Sequence, residues 1–289
     1  MVTEPATLPW RRRPARAAGD FVSPVVRNIA REHGVDTATI AGRGTDGRVT
    51  RADVLGAIAG STPGGRDEVV PFSSIRRRTA VALLASKRTV PHALEVVVAD
   101  YAAVDGARRG SGLTALPFVA RAVIDALREF PLMNATIGND DASVVVHRAV
   151  HLGIAVDLDF EGLVVPVVRD ADGLRLRALA AAIRDVAARA RARKLAPDDL
   201  AGGTFTITNP GASGTWISFP VINRPQVGIL ATDGVSKQVV AADDGLIRVA
   251  VRGHLSCAFD HRAVDGAYAG AFLARVREIV ETRRWDREL

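Results

Sequence analysis

The sequence predicts an α/β protein in which a small, all-helical domain precedes a larger domain of alternating helices and strands. Three observations support this prediction. Residues 21–59 contain two short helical patterns, residues 60–68 have the Gly, Ser and Pro content of a flexible linker, and helical and β-rich runs alternate over residues 69–289. Residues 1–20 are rich in Pro, Ala and Arg without periodicity, so we expect a disordered tail there.

Composition and charge limit the classes of protein that this chain can represent. The content of 48% hydrophobic and 24% charged residues is enough for a folded core. No apolar run approaches the roughly 18 residues of a membrane helix, and no secretory signal is present, so we expect a cytoplasmic protein without a membrane partner. The single cysteine, Cys257, rules out a disulfide within the chain and a cysteine-based zinc site.

The net charge of +6 favours an anionic partner. A phosphate-rich small molecule and an acidic protein are both compatible with it. Nucleic acid is disfavoured, because aromatic residues make up only 5% of the chain and no stacking motif of the RNA-binding kind is present.

In the small domain, Ser23 and Pro24 are typical of a helix start, and helical spacing continues to Gly34. Thr50 and Asp53 have the spacing of a capping box and predict a second helix that ends near Ile58. The stretch between the helices contains G-x-G-x-x-G at residues 42–47. No strand precedes it, so we interpret it as a tight loop whose glycines supply positive φ rather than as a dinucleotide site.

The larger domain is predicted to contain a strongly amphipathic helix at residues 174–194, with arginines on its outer face. Its other predicted helices are residues 75–89, 117–128 and 266–282. Its predicted strands are residues 93–99, two runs within 143–156, and residues 163–168, 204–208, 226–231, 246–251 and 254–259.

The candidate catalytic residues lie in two stretches. His261 ends an apolar strand and Asp265 follows four residues later, before the last helix. His261 is either a structural histidine or a general base, and Asp265 is either a helix N-cap or a group that orients the imidazole. Thr208 and Asn209 offer an oxyanion donor or simple turn chemistry at the end of another strand. His147 and His151 have metal-ligand spacing only on a helix, and their context favours half-exposed strand positions.

Seven stretches together resemble the dihydrolipoyl acyltransferase family of 2-oxo acid dehydrogenase complexes. Two resemble its peripheral subunit-binding domain: S-P-V-V-R-N-I-A-R-E-H-G-V-D and G-R-G-T-D-G-R-V-T-R-A-D-V. The others resemble its catalytic domain, in the family's order: I-R-R-R-T-A-V-A-L-L-A-S-K-R-T-V-P-H, G-L-V-V-P-V-V-R-D, G-G-T-F-T-I-T-N-P-G, P-V-I-N-R-P-Q-V-G-I-L and F-D-H-R-A-V-D-G.

The resemblance implies a two-layer, chloramphenicol-acetyltransferase-like catalytic domain that assembles as a homotrimer with active sites between subunits. By this resemblance His261 is the general base, Thr208 donates to the oxyanion and Asp265 orients the site, with Thr208 and His261 coming from different subunits. It also implies coenzyme A or acetyl-CoA as substrate and no metal. In the small domain, Arg27, Arg31 and Arg48 match the family's partner-binding positions. Alternatively, these arginines are ordinary charged residues on a solvent-exposed helix and loop.

Two departures from the family determine the functional expectation. The lysines are Lys87, Lys194 and Lys237, and none stands in a lipoyl attachment context, so we expect no lipoyl group on this chain. The charged C-terminus favours a free trimer over a larger assembly. We therefore expect acetyl transfer from acetyl-CoA to a hydroxyl of a small-molecule acceptor in natural-product biosynthesis of the tetronate type, with residues 216–221 lining the acceptor channel. The alternatives are a 2-oxo acid dehydrogenase component acting on a separate lipoyl protein, and an inactive tethering scaffold.

Overall fold

The computed structural model describes residues 22–59, 70–242 and 244–289, and its contacts divide the chain into two compact units, Met1–Pro71 and Phe72–Leu289. The tail predicted for residues 1–20 and the linker predicted for residues 60–68 lie outside the described residues. Among the described residues, no helix combines the length and the apolar character needed to cross a membrane.

The described part of the first unit is built on two helices, α1 (Pro24–Glu32) and α2 (Arg51–Ala59). The α1 helix begins as the sequence predicts, because the Ser23 hydroxyl accepts a hydrogen bond from the amide of Val26 at 3.3 Å. A very small apolar core joins the two helices: Val26, Ala30, Val49 and Val54.

A buried carboxylate, Asp53, organises the start of α2. It accepts hydrogen bonds from the backbone amides of Arg43 at 3.0 Å and Thr50 at 2.9 Å, and from the Thr50 hydroxyl at 2.7 Å. In return the Thr50 hydroxyl accepts from the Asp53 amide at 3.2 Å, which completes the predicted capping box. These hydrogen bonds, the one from the Arg43 amide foremost, hold the pKa of Asp53 well below its usual range.

The glycines of the G-x-G-x-x-G loop serve two different purposes. Gly47 has φ of 72°, as expected for a tight turn, but Gly44 has φ of −76°. Gly42 is required by close approach, because a Cβ there would lie 2.4 Å from the carbonyl carbon of Arg48. The expectation that all three glycines supply positive φ is therefore wrong, and no dinucleotide-binding βαβ unit is formed by the described residues of this unit.

The second unit is a mixed α/β domain. Among the described residues its helices are α3 (Ser74–Thr89), α4 (Ala102–Arg108), α5 (Leu116–Glu129), α6 (Leu176–Arg191) and α7 (Gly266–Thr282). Its strands are β1 (His92–Asp100), β2 (Ala135–Ile137), β3 (Val144–Val146), β4 (Leu152–Ile154), β5 (Val156–Asp157), β6 (Leu163–Val164), β7 (Val167–Val168), β8 (Phe205–Thr208), β9 (Gly228–Thr232), β10 (Ser236–Ala241) and β11 (Ile247–Asp260).

The central sheet has the strand order β1-β11-β9-β8-β4-β7, and β10 pairs with the first half of β11. Strand β11 is antiparallel to β1 and β9, whereas β8 is parallel to β9 and β4. Helix α7 packs on β1 and on α5, and α5 packs on α6, which gives the predicted layer of helices against a sheet. The α7 residues at helical spacing are all buried: Ala269, Phe272, Leu273, Val276, Ile279 and Val280.

Strand β11 differs from the prediction, because residues 246–251 and 254–259 belong to one continuous strand. The sequence pattern predicts a break near Gly253. In the structure Gly253 lies within the strand, where a Cβ would come within 2.8 Å of the Val235 side chain and 3.1 Å of the Tyr101 ring. Glycine is needed here for close packing rather than for a turn. The result is a 14-residue strand that leads directly to His261.

Candidate active site

His261 lies in a short loop between the end of β11 and the start of α7, and a buried ion pair fixes that loop. The carboxylate of Asp260 is buried and accepts from the guanidinium of Arg262, with Nη2 to Oδ2 at 2.7 Å and Nε to Oδ1 at 3.0 Å. The same guanidinium reaches Asp141 at 3.0 Å through Nη1. The hydrogen bonds with Asp260 raise the pKa of Arg262, so its guanidinium stays charged.

Two further hydrogen bonds tie the backbone of this loop to the sheet. The His261 amide donates to the carbonyl of Pro91 at 3.1 Å, and the Asp260 amide donates to the carbonyl of Val227 at 2.8 Å. The His261 side chain is left 49% exposed on a firmly held backbone. This combination suits a group that must meet a substrate in a fixed position.

Asp265 lies beside the His261 imidazole. Its Oδ1 is 3.7 Å from Nδ1 of His261, which is too long for a hydrogen bond. Asp265 occupies the N-cap position of α7, yet its side chain accepts no capping hydrogen bond, so the capping interpretation is wrong. Nδ1 faces Asp265, which leaves Nε2 as the nitrogen available to a substrate.

A second histidine, His92, lies near this loop, opposite Asp260 in the pairing of β1 with β11. The amide of Ile222 donates to its Nε2 at 3.1 Å, and its Nδ1 lies 2.9 Å from the carbonyl of Val90. Since an amide only donates and a carbonyl only accepts, Nδ1 carries the proton. Burial lowers the pKa of His92, so we interpret it as a neutral structural residue.

Thr208 ends β8 and is half-buried, and the strand register separates it from His261 within one chain. Thr208 lies opposite Ala231 of β9, which lies opposite Ser256 of β11. His261 follows Ser256 by five residues, about 17 Å of extended chain, and β11 is two strands from β8, roughly 10 Å across. One chain therefore does not bring Thr208 and His261 together.

The other candidate residues also have defined positions. His147 and His151 are half-buried next to strands, and each ring has its own partner: Nε2 of His147 is 3.1 Å from the Thr136 hydroxyl, and Nδ1 of His151 accepts from the Asp170 amide at 3.1 Å. Across residues 22–59, 70–242 and 244–289, no group of three or more His, Cys, Asp or Glu side chains could hold a metal ion.

Cys257 is an unsuitable nucleophile. It lies fully buried in β11, and burial raises the pKa of its thiol to about 12. In the first unit, the predicted partner-binding residues Arg27, Arg31 and Arg48 are all exposed, and Arg31 donates to the side chain of Asn28 at 2.8 Å.

Three residues of this region were not predicted from the sequence. Asp260 and Arg262 flank His261 within the same motif, and their ion pair could have been suspected from two opposite charges around a candidate base. The sequence did not indicate that His92 lies near His261, because a histidine at the start of a strand does not show which residues surround it in the fold.

Comparison with protein families identifies two regions of the chain. Residues 64–285 match the family described as 2-oxoacid dehydrogenases acyltransferase (catalytic domain), and residues 21–55 match the e3 binding domain. The chain is 35% identical to the dihydrolipoyllysine-residue acetyltransferase component of the pyruvate dehydrogenase complex of Corynebacterium glutamicum, over 94% of this chain and 46% of that protein. It is 37% identical to the lipoamide acyltransferase component of the branched-chain alpha-keto acid dehydrogenase complex of Pseudomonas putida, over 92% and 68%.

Solved structures indicate the same family as the sequence matches. The cubic core of a pyruvate dehydrogenase multienzyme complex matches with a TM-score of 0.71 and 31% identity, covering 75% of this chain and 92% of that chain. The dihydrolipoamide acetyltransferase of Azotobacter vinelandii, studied for the catalytic roles of a serine, a histidine and an asparagine, matches with a TM-score of 0.71 and 32% identity over the same shares. The chain spans about half the length of several of the curated relatives that it matches.

These matches correct one expectation. The prediction of acetyl transfer to a hydroxyl in natural-product biosynthesis is wrong, because the matched relatives are acyltransferase components of pyruvate, branched-chain and 2-oxoglutarate dehydrogenase complexes. The motif could not separate the two activities, since a histidine base can deprotonate a thiol or a hydroxyl. With its fold, its two matched domains and its relatives in agreement, the chain belongs to the acyltransferase family of the 2-oxo acid dehydrogenase complexes.

Proposed function

We propose that this chain is the dihydrolipoyl acyltransferase of a 2-oxo acid dehydrogenase complex, and that it transfers an acetyl group between a dihydrolipoyl thiol and coenzyme A. The observation that carries the proposal is the firmly held, half-exposed His261 beside Asp265, within a chain whose relatives bear this activity. The order Thr208, His261, Asp265 also parallels the serine, histidine and asparagine of the Azotobacter enzyme. There too, the third residue follows the histidine by four positions.

The reaction is an acyl transfer without oxidation or reduction. Nε2 of His261 takes the proton of the coenzyme A thiol, and the thiolate attacks the carbonyl carbon of the acetyl-dihydrolipoyl thioester. The Thr208 hydroxyl donates a hydrogen bond to the oxyanion of the tetrahedral intermediate. As the intermediate collapses, the bond to the dihydrolipoyl sulfur breaks, and that thiolate takes the proton back from the imidazolium. The nearby carboxylate of Asp265 stabilises the imidazolium while it exists.

We further propose that the active site forms between subunits of a homotrimer. The strand register supports this, because Thr208 and His261 are too far apart in one chain to act on the same carbonyl. The outer face of α3 supports it as well, since Val81 is 70% exposed and Leu83 and Leu84 are also exposed. Light scattering of the purified protein is expected to give the mass of three chains.

In the first unit, we propose that Arg27, Arg31 and Arg48 contact an acidic partner enzyme. The match of residues 21–55 to the e3 binding domain supports this role. Replacing Arg27 and Arg31 by Gln is expected to weaken binding of the partner in a salt-dependent way while leaving acyl transfer unchanged.

The activity is tested by following coenzyme A release from acetyl-CoA with dihydrolipoamide as acceptor. Turnover with dihydrolipoamide but not with hydroxylated acceptors is expected. Isobutyryl-CoA and succinyl-CoA serve as competitors that identify the acyl group, and acetyl-CoA is expected to react fastest. No turnover with any of the three acyl-CoAs would contradict the proposal and identify the chain as a tethering scaffold.

A further inference from the structure

A second buried carboxylate, Asp233, lies directly after β9 near the Thr208 end of the sheet. It is 2% exposed, and its partners are hydroxyls rather than a cation. Ser218 donates to Oδ1 at 2.6 Å, and Ser256 donates to Oδ2 at 2.6 Å. Both distances are short for a hydroxyl donor, so each serine is held close to the carboxylate.

The two serines belong to different parts of the domain. Ser256 lies in the middle of β11, within the sheet. Ser218 lies in the loop that leaves β8 directly after Thr208 and returns to the sheet at β9. The Asp233 carboxylate therefore ties this loop to the core.

Other contacts fix the same loop at its beginning and middle. The Thr232 hydroxyl donates to the Asn209 side chain at 3.1 Å, and the Gly234 amide donates to the carbonyl of Thr215 at 2.6 Å. Near the start of the loop, Gly211 lies directly on the Asp233 backbone, where a Cβ would come within 2.4 Å of the carbonyl carbon. The hydrogen bond from Ser218 holds the middle of the loop, before the chain reaches Ile222, whose amide donates to Nε2 of His92 at 3.1 Å.

The loop presents Trp216, two residues before Ser218. Its indole is 66% exposed and packs edge-on against His254, with ring centroids 4.9 Å apart. A large exposed aromatic side chain on a loop that begins beside Thr208 is suited to contact a substrate. Its apolar face fits the aliphatic chain of a dihydrolipoyl group better than the amide-rich arm of coenzyme A.

We propose that Asp233 is a positioning residue for the acyl-carrying substrate: through Ser218 its carboxylate holds the loop that presents Trp216 to the aliphatic chain of the dihydrolipoyl group. The proposal rests on the proposed function for the identity of that substrate. Its structural part, the attachment of the Trp216 loop by Ser218 and Asp233, stands independently of the reaction.

The test compares Ser218→Ala with Ser256→Ala in the full chain. Each variant removes one hydroxyl from the same carboxylate, but only Ser218→Ala removes a hydrogen bond between that carboxylate and the loop. Ser218→Ala is expected to raise the KM for dihydrolipoamide about tenfold, the value of one hydrogen bond, with the KM for acetyl-CoA unchanged. The conservative variant Ser218→Thr is expected to restore the KM.

A spectroscopic readout makes the test independent of activity. Quenching of tryptophan fluorescence by acrylamide, with Trp216→Phe as the blank that isolates the Trp216 signal, is expected to increase in Ser218→Ala and to stay at the wild-type value in Ser256→Ala. Equal changes in KM for both serine variants, a rise in the KM for acetyl-CoA instead, or unchanged quenching in Ser218→Ala would each overturn the proposal. If the wild-type protein does not turn over dihydrolipoamide, the proposed function fails, and the quenching comparison alone decides whether Asp233 holds the loop.

Discussion

Two buried carboxylates support the two halves of the proposed site, and they are satisfied in different ways. Asp260, next to His261, is paired with the guanidinium of Arg262. Asp233, near the Thr208 end of the sheet, accepts hydrogen bonds from two serine hydroxyls. Both carboxylates are almost fully buried, so each would be costly without its partners.

The two kinds of partner predict different responses to mutation in the two halves of the site. The forked guanidinium fixes a short loop rigidly, and removing it leaves a buried charge without a counter-charge. The serines around Asp233 fix a longer loop, and each can be removed while the other remains. We therefore expect mutations that disrupt the His261 loop to lower the stability of the fold. Mutations of the serines around Asp233 should instead change substrate binding while the fold is kept.

The largest expected effect comes from His261→Ala. Loss of the general base should lower kcat by about 10²–10⁴-fold, measured with acetyl-CoA and dihydrolipoamide. The trimer should remain intact in light scattering, because the imidazole is half exposed. His151→Ala is the matched control, since this half-buried histidine lies outside the proposed site. Activity near that of the wild type in His261→Ala would remove His261 from the mechanism.

Thr208→Ala tests the other half of the site. Loss of one oxyanion donor should lower kcat by about 10²–10³-fold, whereas Thr208→Ser should keep most of the activity.

The same variant tests whether the two halves come from different subunits. When Thr208→Ala and His261→Ala chains are unfolded, mixed in equal amounts and refolded together, about one quarter of the heterologous interfaces should combine both intact residues. Restored activity near that fraction is expected. A mixture as inactive as its components would contradict an interfacial site.

Arg262→Gln tests the ion pair behind the His261 loop. It should lower the free energy of unfolding by about 2 kcal/mol, less than for a fully buried pair because Arg262 is partly exposed to water. Denaturant titration measures the change. Arg248→Gln is the control, because it breaks an exposed ion pair with Asp244 and should change stability little. Equal effects of the two variants would mean that burial of Asp260 does not matter.

The smallest effect concerns the first unit, where hydrogen bonds lower the pKa of Asp53. The ionised Asp53 carboxylate stabilises the fold fully at pH values above the ordinary carboxyl pKa of about 3.9. This contribution is lost as the pH falls through the lowered pKa of the folded state. Hydrogen exchange of the α1 and α2 amides in the full chain should accelerate as the pH falls below the ordinary carboxyl pKa. Asp53→Asn should remove most of this pH dependence, whereas Asp36→Asn, which retains a capping side chain, should preserve it.

Much of the fold followed from local sequence patterns. Helix α1 was predicted from its Ser-Pro start, and α7 from apolar residues at helical spacing, because both signals act within a few residues. Strand β10 and helix α4 were missed. The prediction of a break at Gly253 failed because its glycine serves a contact with Tyr101 and Val235, which are distant in sequence.

The sequence by itself determined the fold class, the two helical caps of the first unit and the candidate residues His261, Asp265 and Thr208, because these follow from local spacing and from motifs of a few residues. Only the tertiary structure decided that Asp265 faces the imidazole instead of capping α7, and that Arg262 pairs with Asp260. It also decided that Thr208 and His261 lie at separate places on the sheet, because strand register depends on the pairing of segments about fifty residues apart.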